Sequence, residues 1–102
     1  MKGKLYVIKA SGEISETMLT EAPKLESLQK AVGGYIEVVP FFVHFQGLDC
    51  IALCNEEGKL IGLPINGSAT EAWRNQCGGW INDVLVGSVV IICGDAELLS
   101  EL

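Results

Sequence analysis

The segment CNEEGKLIGLPING (residues 54–67) carries three glycines, a Gly-Lys pair, two adjacent carboxylates and an Asn-Gly dipeptide. A phosphate-cradling Walker loop needs a glycine five residues before the Gly-Lys pair and a Ser or Thr directly after it. Leu53 and Leu60 stand at those positions, and the G-x-G-x-x-G spacing of dinucleotide-binding turns is absent. The segment therefore reads as scaffold. The strand-like run DCIALC (49–54) faces KLIGL (59–63) across the polar connection 55–58, with Gly58 where a positive φ is often required. A hairpin here makes the sheet antiparallel.

The flanking segments extend that sheet. KLYVIKA (4–10) alternates like a strand and ends at Ser11-Gly12, which turns the chain back into a short strand at 13–19. Leu25, Leu28 and Val32 form one apolar stripe in 20–34, with Pro23 near its start and Gly33-Gly34 past its end, the pattern of a helix. Residues 35–39 read as a strand restricted by Pro40, and FFVHFQGLDCIALC (41–54) is β-prone with a break at Gln46-Gly47. Asn66-Gly67-Ser68 caps a helix over 69–77, SVVIIC (88–93) is a strand, and DAELLSEL (95–102) a short helix. The expected fold is a single α+β domain over residues 1–102, in two layers, with helices on one face of a mainly antiparallel sheet.

Composition narrows the function classes. A chain of 102 residues that is 49% hydrophobic and 20% charged makes one core. Its longest apolar run, VLVGSVVIIC (84–93), is half the roughly 20 residues that cross a bilayer. Lysines at 2, 4 and 9 interrupt the only N-terminal apolar stretch, so no secretory leader is read and a cytoplasmic location is expected. Cys50, Cys54, Cys77 and Cys93 are then expected as reduced thiols. A net charge of −6 with a single arginine opposes direct nucleic-acid binding.

No catalytic constellation stands out. Paired zinc-ligand spacings are absent, and His44 with Cys50 and Cys54 is the one grouping that could be imagined around a metal. A Cys-His nucleophile would have to use His44, the sole histidine. Glu37 shares a strand face with Tyr35 and Val39 and reads as an outward carboxylate. The expectation is no catalytic residue, no metal and no cofactor.

WRNQCGGW (73–80) differs in gathering both tryptophans and the arginine. Trp and Arg dominate binding hot spots, although indoles also serve as lids on a core. The backbone N–H groups of the helix beginning near Ser68, with Arg74 or Lys59, offer an anion site. Candidate binding residues are Lys59, Asn66, Trp73, Arg74 and Trp80.

The runs LESLQKAVGGYIEVV (25–39), ALCNEEGKLIGLPIN (52–66) and DVLVGSVVII (83–92) resemble a family of small proteins of unassigned function encoded by phages, plasmids and gut-bacterial mobile elements. Its recurring motifs fall at 32–37, 54–60, 62–66 and 83–87. Members often carry an arginine directly after the Gly-Leu-Pro-x-Asn asparagine, where this chain has Gly67. The resemblance implies a non-enzymatic anti-defence protein that binds and blocks a host effector of the CRISPR or restriction type. The alternative it implies is a sponge, a homodimer or higher oligomer, that sequesters a small nucleotide signal.

Overall fold

The computed structural model describes residues 3–102. The elements are β1 (Gly3–Ile8), β2 (Ile14–Leu19), α1 (Leu25–Val32), β3 (Ile36–Val38), β4 (His44–Phe45), β5 (Leu48–Asn55), α2 (Gly67–Gln76), β6 (Val89–Gly94) and α3 (Ala96–Leu99). The strands form an antiparallel sheet in the order β2-β1-β6-β5-β3, with β4 folded onto the start of β5. The α+β class and the antiparallel sheet are as expected from the sequence. Among the described residues no helix is long and apolar enough to cross a membrane.

The placement of the helices differs from expectation. Successive strand residues point to opposite faces, and here both faces are buried. Tyr6, Ile8, Cys50, Ala52, Val89, Ile91 and Cys93 point to the face covered by Ala69 and Trp73 of α2, by its C-cap Cys77, and by Val39 and Phe42. Leu53, Val90 and Ile92 point to the other, against Leu28 and Val32 of α1 and Leu98 of α3. The helices thus cover both faces, in three layers. The uninterrupted apolar run of β6 is the sequence mark of a central strand buried on both sides.

The hairpin read at 49–63 does not form. Residues 59–63 make turns, with Ile61 N–H donating to Glu57 O (3.0 Å) and Leu63 N–H to Gly58 O (3.0 Å). Both edges of β5 are already taken, one by β6 and the other by β3 and β4, so no edge remains for KLIGL. The Asn55 side chain also curls the chain away by accepting from Glu57 N–H at 2.8 Å. The tight hairpin lies instead at β4–β5. Gln46 (φ 53°) and Gly47 (φ 76°) are both left-handed there, as a two-residue type I′ turn requires.

The remaining boundaries follow local chemistry. β2 returns along β1 as expected. α1 ends at Gly33, left-handed at φ 79°, though it begins only at Leu25. Asn66 caps α2, accepting from Ala69 N–H through its side chain.

Candidate functional site

The start of α2 is fixed from within the core. The Asn66 side chain, fully buried, donates to Ile8 O (2.8 Å) and Gly87 O (2.9 Å) and accepts from Ala69 N–H (3.0 Å). Thr70 then links the helix to the incoming chain, its hydroxyl donating to Asn66 O (2.7 Å) and accepting from Leu85 N–H (2.9 Å). So anchored, α2 holds the chain between β3 and β4. Trp73 is 3% exposed and donates its indole N–H to Pro40 O at 2.8 Å. Gln76 accepts from Val43 N–H (2.8 Å) and His44 N–H (3.0 Å) and donates to His44 O (3.1 Å).

This clamp separates two adjacent phenylalanines. Phe42 is buried in the core, whereas Phe41 is 59% exposed. Phe41 sits at φ 64°, a region that a bulky side chain seldom occupies. Its ring packs edge-on against Trp80, with centroids 5.2 Å apart and planes at 68°. Trp80 is itself 65% exposed. Together they rim a shallow depression of about 510 Å³ that continues over Pro40 and Ile81.

Beside it, across Pro40 and Asp83, lies a cleft of about 240 Å³. Val39, Trp73 and Leu85 are its buried apolar lining, and Glu37, Cys54, Glu56, Lys59 and Asp83 are among its polar side chains. Exposed Val38 and Leu60 extend the apolar surface along it. Lys59 Nζ is paired with Asp83 Oδ1, and Arg74 donates to the Asp83 backbone carbonyl through Nε (3.2 Å) and Nη2 (2.8 Å). The Lys59 hydrogen bond, helped by Val84 N–H, holds the Asp83 carboxyl below its usual range. Burial, reinforced by the Glu37 charge, pushes the Cys54 thiol up to about 11. Cys54 is therefore a neutral thiol near pH 7, with little nucleophilic thiolate.

Four of the five sequence candidates converge around Asp83. Lys59 and Trp73 line the cleft, Arg74 pins its rim, and Trp80 stands exposed on the adjoining depression. Asn66 does not join them, because its side chain is buried and its polar atoms are engaged within the fold. At the α2 N-terminus the Asn66 side chain takes up Ala69 N–H. His44 is exposed and pairs through Nδ1 with Asp49 (3.5 Å). Its partners include no thiol. Among the described residues no three His, Cys, Asp or Glu side chains are grouped to hold a metal.

Sequence reasoning missed Phe41 and Asp83, while Glu37 is exposed as read. Only the repeat in PFFV hinted at the first, since alternation sends one of two adjacent rings outward.

Comparison with curated proteins and with solved structures finds no significant match. The family model described as "Domain of unknown function (DUF3846)" matches residues 1–101. The chain, matched over nearly its whole length, belongs to the DUF3846 family.

Proposed function

We propose that the protein acts without catalysis, by binding another protein through the face made by Phe41, Trp80, Val38 and Leu60. The partner in this reading is a host defence effector of the CRISPR or restriction type, met in the host cytoplasm. The resemblance to mobile-element proteins supplies the class of partner. The observation that carries the mode of action is Phe41, a bulky residue held at φ 64° with its ring exposed against an exposed tryptophan. Left-handed backbone at a non-glycine residue is unfavourable by about 1–2 kcal/mol and persists where the surroundings impose it. Here Trp73 and Gln76 impose it from α2.

Aromatic side chains beside an apolar depression are the usual anchors of a protein interface. A net charge of −6 also complements an effector whose own surface is basic because it grips nucleic acid. A nucleotide ligand receives less support. Lys59 and Arg74 are both engaged by Asp83, and Glu37 and Glu56 add negative charge along the same cleft. The test is a panel of purified defence nucleases assayed with and without the protein. Inhibition of at least one, with a stable complex on gel filtration, is expected. No inhibition and no complex across the panel would remove the reading.

A further inference from the structure

The open edge of β2 points to a second copy of the chain. Lys9 N–H donates to Glu13 O at 2.9 Å, which sets the parity of the β1–β2 ladder. Ser15, Thr17 and Leu19 accordingly turn their backbone groups toward β1. Ile14, Glu16 and Met18 turn theirs outward, three N–H and three C=O groups, and no described strand lies on that side.

Five of the six β2 residues are exposed, Ile14 and Met18 among them. Proteins usually blunt such an edge with proline, a bulge, inward charges or a very short strand. The opposite edge does so: β3 has three residues and runs on toward Pro40. β2 contains no proline and no glycine, and Lys4 pairs with its single charge, Glu16, at 3.7 Å.

We infer that two copies of the chain pair antiparallel along β2, about a two-fold axis at Thr17, into one continuous sheet. In that register Thr17 faces Thr17, Ser15 faces Leu19, and Glu16 faces Met18 of the second copy. The Glu16–Met18 pairs join outward-facing residues, so each exchanges two hydrogen bonds and the two-fold doubles them. Lys4 lies directly beside Met18 within each copy. Every Glu16 therefore looks across Met18 of the second copy toward that copy's Lys4, two strand spacings or about 10 Å away, within reach of the lysine stem. Sliding the axis to Glu16 sets the two carboxylates against each other, which favours the Thr17 register. The charge pattern makes this edge complementary to itself, which selects a second copy over an unrelated strand. β2 and β3 are opposite edges of the sheet, so the Phe41–Trp80 face remains free in such a dimer.

Sedimentation velocity of the full chain at micromolar concentration tests this. A dimer is expected. Met18→Pro removes an N–H that the monomer leaves unused, so it weakens association at least tenfold while leaving the circular dichroism spectrum native. Glu16→Lys also weakens association, by turning the cross-copy attraction into repulsion, and at the same time loses the Lys4 pair within each copy. Thr17→Cys on the axis brings two cysteines into the separation of a non-hydrogen-bonded pair, within disulfide range, so mild oxidation yields a covalent dimer. Ser15→Cys, facing Leu19, does not. A wild-type monomer throughout that range, dimers that persist in both Met18→Pro and Glu16→Lys, or no cross-link at Thr17→Cys would each overturn the inference.

Discussion

Trp73 donates its indole N–H to the carbonyl of Pro40 at 2.8 Å, tying the middle of α2 to the residue before the exposed Phe41. The bond lies between a buried ring and a loop that would otherwise be free to relax. Replacing Trp73 with Phe keeps an aromatic ring in the core and deletes the donor, leaving the Pro40 carbonyl unpaired. A loss of about 1–2 kcal/mol in urea unfolding is expected. The exposed fluorescence of Trp80 should change as well, since its packing partner is no longer held. An unaltered Trp80 signal would show that the tether does not position Phe41.

Asn66→Ala deletes the helix cap and leaves the Ile8 and Gly87 carbonyls without their donors, all in a fully buried setting. The combined effect is about 3 kcal/mol or more. A shift of the denaturation midpoint no larger than that of a surface substitution would contradict the anchoring role.

The Lys59–Asp83 pair gives a pH dependence of defined sign. The folded state holds the Asp83 carboxyl below its ordinary 3.8, so the pair's stabilisation is fully present above that value. It is lost as the pH falls through the lower, folded-state value. Both side chains are more than half exposed, so the effect is at most about 1 kcal/mol and shrinks with added salt. Wild type and Asp83→Asn should differ by a constant amount near neutrality and converge in acid. A difference that grows on acidification would contradict the pairing.

Thiol chemistry separates the buried scaffold from a reactive site. Burial raises Cys50 to about 12 and Cys54 to about 11. At pH 8 only about one Cys54 in a thousand is thiolate. Iodoacetamide should label the native protein slowly, with the Cys54 rate rising about tenfold per pH unit, while the unfolded chain reacts promptly at all four cysteines. Rapid labelling of native Cys54 at pH 7 would reveal an activated thiol and reopen a catalytic reading.

Much of the fold was legible because local signals agreed with the tertiary outcome. Gly33 ends α1, Asn66 caps α2, and Ser11-Gly12 reverses the chain into β2, each through an interaction within a few residues. The failure at 59–63 has the opposite cause. KLIGL has strand composition, but strand pairing is settled by which edges are free, and β3 lies well before its β5 partner, Glu37 seventeen positions before Cys54 for example. Helices on both faces were readable in β6, whose unbroken apolar run is the pattern of a strand covered on each side. For the site, residue type identified Trp73, Arg74 and Trp80, because Trp and Arg recur at interfaces. Asp83 and Phe41 stayed hidden, since the ion pair and the left-handed backbone depend on chain segments brought together only by folding.

The central claim is that Phe41 and Trp80 are the anchors of a protein-docking face. Its most direct test is the affinity of an inhibited effector for wild type, Phe41→Gly and Trp80→Ala, measured by calorimetry. Phe41→Gly relieves left-handed strain of about 1 kcal/mol and gives up an edge-on aromatic contact of similar size, so the fold keeps its stability. The expected result is unchanged melting with affinity lowered about thirtyfold or more in each variant. Full affinity in both variants, with the effector still inhibited, would contradict the claim.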